Sequence, residues 1–143
     1  MKTKLNFQVT DIVTHAQREE VLNGLRHYNH QFVGAAAWQQ LGIFVRDDED
    51  QLIAGIIAGI KGLWLAIELL WVDDRIRALR LGTQLLAQCE QEAMDRGCQF
   101  AQVDTYSFQA LPFYQKNGYE LKMSLAHYPT QGEQRHYLIK QLA

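Results

Sequence analysis

Apolar and polar positions alternate with the period of a β-strand in several short segments of the chain, and they recur with the period of a helix in longer ones. Apolar side chains at helical spacing between residues 21 and 28 predict a helix over residues 15–28. Thr14 and Gln17 have the spacing of a capping box at its start. Alternation from Leu5 to Val9 predicts a first strand before this helix.

The remainder of the pattern predicts six more strands and two more helices. Residues 29–38 are irregular or form a short second helix. The predicted strands are 41–45, 51–60, 63–72, 100–105, 119–125 and 135–142. A long helix follows residue 72, with an apolar stripe from Leu81 to Ala93, and Gly97 caps its end. A short helix over 109–117 ends at Gly118, and the acidic run 47–50 is a solvated turn.

The apolar segment from Leu52 to Val72 has the length of a membrane span, and it contains a GxxxG pair. Lys61 and Glu68 lie inside it, and a charge near the centre of a membrane costs roughly 2.5–3.5 kcal/mol. Lys61 and Gly62 also form a turn signal. These features favour a buried β-hairpin over a membrane helix.

Composition and charge narrow the class of protein. The chain has 143 residues, a net charge of −2 and 48% hydrophobic residues, which predicts one globular domain over residues 1–143. Such a charge gives no general attraction to nucleic acid or to an anionic membrane. Cys89 and Cys98 lie among apolar neighbours without a metal-ligand pattern, so we expect reduced core thiols, no metal and a cytoplasmic location. The amino-terminal residues lack the apolar stretch of a signal peptide.

The order of predicted elements is strand, helix, three strands, helix, strand, helix and two strands, with the optional short helix after the first. A central antiparallel meander that feeds a β-α-β unit predicts an α/β (or α+β) fold, with a mixed, mostly antiparallel sheet flanked by helices.

With this order, two segments resemble the GCN5-related N-acetyltransferase (GNAT) superfamily. The first is Leu70-Trp71-Val72-Asp73-Asp74, which leads through Arg77 to Gly82-Thr83-Gln84-Leu85-Leu86. The second is Phe113-Tyr114-Gln115-Lys116-Asn117-Gly118-Tyr119, which is similar to the family's FYxxxGF/Y segment. The resemblance covers essentially the whole chain and implies that the protein uses acetyl-CoA.

The resemblance also implies which residues hold the cofactor. A loop that runs into a helix N-terminus binds phosphate through free N–H groups and the helix dipole. Here Arg77 and Gly82 fit the family's Gln/Arg-x-x-Gly-x-Gly/Ala pattern, but Arg80 replaces a glycine. Arg80 either crowds the pyrophosphate or adds a phosphate-pairing charge. The alternative is that the arginines of this loop do not bind phosphate and are only solvated residues at the start of a helix. The implied cofactor-binding residues are Leu70, Val72, Arg77, Leu81, Gly82 and Thr83.

The resemblance implies that Tyr114 is a general acid that protonates the thiolate of coenzyme A, because a neutral phenol can donate a proton to a nearby sulfur anion. The alternative is that Tyr114 only packs its helix onto the sheet. Glu68 is the candidate base for the amine. Strand alternation puts it on one face with Leu70 and Val72, where apolar neighbours would raise the pKa of its carboxyl group. Otherwise Glu68 is a solvated charge or the partner of an arginine.

The resemblance implies that the protein transfers the acetyl group of acetyl-CoA directly to an acceptor. This acceptor is expected to be a primary amine of a small molecule or a peptide. The resemblance implies that the acceptor groove is formed by the region of the predicted first helix and the loop after it. The aromatic and histidine side chains of this region either line an amine pocket or are simply core and surface residues. They are His27, Tyr28, His30, Phe32 and Trp38. Gln109 contacts substrate or begins a helix. His127 and His136 are expected at the surface. A degenerate member of the fold that serves as a binding module is the alternative function, and a homodimer is left open.

Overall fold

The computed structural model describes residues 3–33 and 38–143, except for the side chains of Val33 and residues 77–79. Residue contacts divide the chain into two compact units, residues 1–36 and residues 37–143. The expectation of a single domain over residues 1–143 stays a prediction.

The first unit consists of an irregular segment over residues 3–14 and helix α1, His15–Val33. Gln17 N–H donates to the Thr14 hydroxyl at 3.1 Å and Thr14 N–H donates to the Gln17 side chain at 3.0 Å, which confirms the capping box. The predicted strand from Leu5 to Val9 is wrong. An alternating segment becomes a strand only where a neighbour accepts its backbone hydrogen bonds, and no ladder of the described sheet includes these residues. The helix continues to residue 33, and residues 34–37 lie outside the described part.

The second unit is built on a six-stranded sheet with the order β1-β2-β3-β4-β6-β5. Only β3 and β4 pair in parallel, so the predicted mixed, mostly antiparallel α/β fold is confirmed. The strands are β1 (Gln39–Arg46), β2 (Leu52–Lys61), β3 (Trp64–Val72), β4 (Phe100–Tyr106), β5 (Glu120–Ala126) and β6 (Gln134–Gln141). A 3-10 helix, Asp74–Leu79, precedes α2 (Leu81–Asp95), and α3 is Leu111–Lys116.

Strands β2 and β3 form the hairpin that the sequence favoured over a membrane span. Gly62 makes the turn with a φ of 59°, which suits glycine because it has no Cβ. The GxxxG pair lies on strand β2 of the sheet. Gly59 leaves room for Trp38, because a Cβ at this position would lie 1.9 Å from the indole ring. In the described residues, no helix has the length and apolar character needed to cross a bilayer.

The core lies between one face of the sheet and helices α2 and α3. The buried stripe of α2 contains Leu85, Leu86, Cys89 and Ala93, and Gly97 ends the helix with a φ of 96°, both as predicted. Cys89 and Cys98 are free and buried, and burial raises the pKa of the Cys89 thiol to about 12. Among the residues described, no group of three His, Cys, Asp or Glu side chains could hold a metal ion.

A buried polar cluster joins α2 to the end of the chain. The Tyr119 hydroxyl donates to one carboxylate oxygen of Glu90 at 2.7 Å, and Lys140 donates to the other at 2.9 Å. Because burial and the nearby Glu90 charge both disfavour a phenolate, the pKa of Tyr119 is raised above its ordinary value. His136 was expected at the surface but is buried, within hydrogen-bonding distance of the Ser124 hydroxyl at 2.7 Å.

Removal of the cation from this cluster should destabilise the fold. In Lys140→Met the buried Glu90 carboxylate loses its counter-charge, which typically costs about 3 kcal/mol or more. Lys122→Met is the matched control, because the Lys122–Glu120 pair is exposed and should be worth less than about 1 kcal/mol. Urea unfolding of both variants measures the difference. Equal stability of the two variants would contradict a structural role for Lys140.

Candidate functional site

The parallel strands β3 and β4 separate partway along their length. Their pairing runs only from Trp64 opposite Phe100 to Ile67 opposite Val103. Both strands then continue, to Val72 and to Tyr106, without pairing with each other. This leaves a gap between residues 68–72 of β3 and 104–106 of β4. Backbone groups that face the gap have no strand partner, so they are available to a ligand.

A β-bulge marks the start of this gap on β3. Leu69 pairs with Ile57 and Ile67 pairs with Ala58, so Glu68 is an extra residue between them. Leu65 and Ile67 before the bulge pack in the core, as Leu70 and Val72 do after it. Glu68 follows the core-facing Ile67 and is exposed on the opposite face, and the extra residue brings Leu70 and Val72 onto the core face. The expectation that Glu68 shares a face with Leu70 and Val72, amid apolar neighbours, is wrong because regular alternation does not cross a bulge.

The N-terminus of α2 forms the second part of the site. Arg80 precedes the helix with φ 57° and ψ 32°, the left-handed conformation that a glycine would adopt at low cost. No side chain caps the helix, so the first-turn N–H groups of Leu81, Gly82 and Thr83 remain available to an anion. The side chain of Arg77, also predicted here, lies outside the described residues.

Close packing brings the end of β3, the start of α2 and helix α3 together. A Cβ placed on Gly82 would lie 3.4 Å from the ring of Phe113 and 3.8 Å from a methyl group of Val72. Leu70, Val72, Leu81 and Phe113 are all partly buried against the core. Two of the predicted cofactor residues, Val72 and Gly82, are therefore neighbours, and Leu70 and Leu81 pack against the same core.

Tyr114 lies on α3 with its ring buried against Phe113 and Tyr119, at centroid distances of 5.1 Å and 5.7 Å. Burial raises the pKa of Tyr114 to about 12, and the charge of Asp104 contributes in the same direction. Within the described residues nothing hydrogen-bonds its hydroxyl, and no fully buried polar side-chain atom lacks a partner. The hydroxyl therefore keeps access to solvent, in contrast to that of Tyr119, which Glu90 holds.

The loop from β4 to α3 is fixed by hydrogen bonds that position Tyr114. Tyr106 N–H donates to the Gln109 side chain at 2.9 Å, and the buried Thr105 hydroxyl donates to the same oxygen at 3.3 Å. Ala110 N–H donates to Thr105 at 3.2 Å as α3 begins. Gln109 thus orders the loop before α3, which begins at Leu111, so the interpretation that Gln109 begins the helix is wrong.

An ion pair beside the gap was missed by the sequence reasoning. Asp104 directly follows Val103, the last residue of β4 that pairs with β3, and it accepts a hydrogen bond from Arg135 at 2.9 Å. The guanidinium of Arg135 lies over the rings of Tyr128 and Tyr137, 5.1 Å from each centroid. Asp104 could have been singled out from the sequence, because it is a lone acid in an apolar strand. No local signal identifies Arg135, since 31 residues separate the partners.

The predicted acceptor residues lie in different parts of the chain. His27, Tyr28, His30 and Phe32 are on α1 in the first unit, and Trp38 precedes β1 in the second. The rings of Tyr28 and Phe32 are exposed, with centroids 5.4 Å apart and planes tilted by 51°. A role for these residues in substrate binding stays a prediction.

Comparison with known proteins agrees with this geometry. The sequence profile of the Acetyltransferase (GNAT) family matches residues 9–119. The chain is 40% identical over 96 residues to blasticidin-S acetyltransferase of Streptomyces morookaense, covering 66% of this chain and 70% of that protein. A crystal structure from Agrobacterium tumefaciens, described as that of an acetyltransferase, has a TM-score of 0.89 and 29% identity, and covers 96% of this chain and 99% of that one.

A more distant solved structure shares the fold. It is described as a streptothricin acetyltransferase from Bacillus anthracis in complex with acetyl coenzyme A. Its TM-score is 0.60 at 22% identity, and the likeness covers 71% of this chain and 62% of that one.

The left-handed backbone of Arg80 predicts the effect of a glycine there. Arg80→Gly should raise the free energy of unfolding by up to about 1 kcal/mol, because relief of a strain of about 1–2 kcal/mol exceeds the added freedom of the unfolded chain. Gln88→Gly, on the exposed side of α2, is the control and should lower it by about 1 kcal/mol. Thermal unfolding compares the two variants, and a loss of similar size in both would show that Arg80 is not strained.

Proposed function

The chain belongs to the acetyltransferase (GNAT) family, and from this membership we propose that the residues around the gap between β3 and β4 transfer an acetyl group from acetyl-CoA directly to a primary amine. The fold and the family make the protein an acetyl-CoA-dependent N-acetyltransferase. The roles of individual residues in this reaction are the proposal. Its main support is that the gap, the uncapped start of α2 and the free hydroxyl of Tyr114 lie on adjoining elements.

The residues present fit coenzyme A. The uncapped first turn of α2 offers N–H groups to a pyrophosphate, and the absence of a side chain at Gly82 leaves that turn open beside Phe113 and Val72. Residues 81–83 would hold the pyrophosphate, with the Arg77 side chain as a further ligand. Leu70 and Val72 would line the path toward the gap. Bound there, acetyl-CoA supplies an acetyl thioester.

Tyr114 serves as the proton donor to the departing sulfur. Its hydroxyl is protonated at neutral pH, as that of an ordinary tyrosine is, and burial raises its pKa further, to about 12. That pKa lies well above the ordinary thiol pKa of about 8.5, so complete transfer to a solvated thiolate would be uphill. The hydroxyl therefore acts by donating a hydrogen bond to developing negative charge, and the proton follows only where the sulfur is equally desolvated.

Glu68 serves as the base. An alkylamine arrives as an ammonium ion at pH 7 and must lose a proton before its nitrogen can attack a carbonyl carbon. The bulge sets Glu68 on the exposed face of β3 at the start of the gap, one residue beyond the last pair with β4. This exposure gives an incoming amine access to the carboxylate. Backbone N–H groups of residues 70–72 that face the gap would donate to the oxyanion.

A small-molecule amine is the preferred acceptor over a peptide. Two similar proteins are named for antibiotics, blasticidin-S and streptothricin, which supports this choice. The reduced, buried thiols of Cys89 and Cys98 support a cytoplasmic location. A homodimer in which the last strands pair across the interface stays a prediction, and no nucleic-acid or membrane partner is proposed.

The alternative function is a degenerate binding module that has lost the cofactor. It is suggested by Arg80, which replaces a glycine of the family pattern. Arg80 nevertheless adopts the backbone conformation expected of glycine. This conformation supports the enzyme over the module, because a glycine at this position of the family pattern would adopt it readily.

Substitution of Tyr114 tests the proposed reaction. Calorimetric titration of the native protein with acetyl-CoA should give micromolar affinity, and Tyr114→Phe should keep that affinity while turnover falls by about 10–100-fold. Loss of one hydroxyl removes the hydrogen bond to the sulfur and leaves the buried ring in place. Thiol release in the presence of an amine measures turnover.

Tyr119→Phe is the matched control for this substitution. It removes the hydroxyl that Glu90 accepts, so it should lower stability but keep the turnover of the folded protein. Full turnover by Tyr114→Phe would remove Tyr114 from the mechanism. No binding of acetyl-CoA by the native protein would reject the proposed function and favour the binding module.

A pH profile tests Glu68. Glu68→Gln should lower kcat/KM by about 100-fold at pH 7, and the loss should shrink as the pH approaches about 10, where alkylamines are neutral without a base. Glu120→Gln, on the exposed side of β5, is the control and should match the native profile. A loss that stays constant from pH 7 to pH 10 would assign Glu68 a structural role only.

A further inference from the structure

A stack of aromatic rings begins at the carboxyl end of β4 and ends in an exposed ring. Tyr106 and Phe108 are parallel within 2°, with centroids 5.3 Å apart. Tyr106 also stacks on Tyr128 at 5.8 Å and 20°. Phe108 is 62% exposed, so much of its ring surface faces solvent. Exposure of an apolar ring to water is unfavourable, and a planar partner that stacked on the ring would remove this cost.

The loop that carries Phe108 is held on both sides of the ring. Before it, the Ser107 hydroxyl binds the Glu133 carboxylate and accepts from Gln134 N–H at 3.1 Å. After it, the Gln109 side chain accepts from Tyr106 N–H at 2.9 Å. A ring that is already held in place loses little conformational entropy when a ligand stacks on it.

The charges beneath the stack favour a neutral ring over a cation as its partner. Arg135 lies 5.7 Å from the centroid of Tyr106 and pairs with the carboxylate of Asp104 at 2.9 Å. The acid is thus neutralised, and the guanidinium occupies the cation position of the tyrosines. A cation that approached the tyrosine faces would have to displace Arg135, whereas a neutral aromatic ring can stack on the exposed ring of Phe108.

The stack also lies beside the proposed reaction site. Tyr106 is the last residue of β4, and Asp104 on the same strand begins the gap. Ligands of α/β sheets bind at the carboxyl ends of parallel strands.

We propose that the acceptor of this enzyme carries a planar aromatic ring, which stacks on Phe108 while its amine reaches the gap between β3 and β4. This inference rests on the proposed function and specifies its substrate class. Phe108 is a specificity-determining residue, because it contacts the part of the acceptor that does not react.

Two amines of the same carbon skeleton test the proposal. Benzylamine and cyclohexylmethylamine both carry an ammonium group, and only the first has a planar ring. With coenzyme A present, the native protein should bind benzylamine about fivefold more tightly in an NMR titration, as expected for about 1 kcal/mol of stacking. Phe108→Leu should reduce this ratio to about one. Phe108→Tyr retains a ring and should keep the ratio.

Phe44→Leu is the matched control, since Phe44 is an exposed phenylalanine on strand β1 at the other end of the sheet, and it should leave the ratio unchanged. Equal affinity of the native protein for the two amines, no binding of either, or an unchanged ratio in Phe108→Leu would each overturn the proposal. The acetyl-CoA titration separates the two hypotheses. Acetyl-CoA binding without aromatic preference rejects only this inference. Absence of acetyl-CoA binding rejects the proposed function, and an aromatic preference seen then would show a ring-binding site on Phe108 but not an acceptor site.

Discussion

The early end of the pairing between β3 and β4 is the constraint on which the site depends. A parallel pair that continued past Ile67 and Val103 would bury its backbone groups in a ladder and leave no opening. Because both strands go on without each other, the sheet contains an internal edge that solvent or a ligand can reach. The bulge at Glu68 and the acid at Asp104 both lie at this point of divergence.

The opening is held by interactions on its helical side. Val72, Gly82 and Phe113 pack together, so the strand that ends at the gap, the anion-binding helix start and the tyrosine helix are kept adjacent. The cluster of Glu90, Tyr119 and Lys140 lies farther from the gap, and it links α2 to β6 with partners for both carboxylate oxygens. A fully satisfied buried network of this kind specifies one arrangement of its elements.

The sequence predicted most of the fold because its signals were local. The period of the apolar residues identified the strands of the second unit and the three α-helices to within a few residues. Thr14 marked the start of α1, and the glycines at 62, 97 and 118 marked a turn and two helix ends. The strand at residues 5–9 was wrongly predicted because alternation cannot reveal whether a partner strand is present. The family pattern located Gly82 and Tyr114. It gave no information on Asp104 and Arg135, since their contact depends on strand register between β4 and β6.

The bulge in β3 also means that one strand carries two phases of hydrophobic alternation. Odd-numbered residues 65 and 67 face the core before it, and even-numbered residues 70 and 72 do so after it. A continuous apolar strand therefore conceals a change of phase, and the charged residue sits at the boundary. An acid within an apolar strand sequence can therefore mark the residue at which the core-facing positions change from odd to even numbers. In this protein that boundary coincides with the place where the sheet opens.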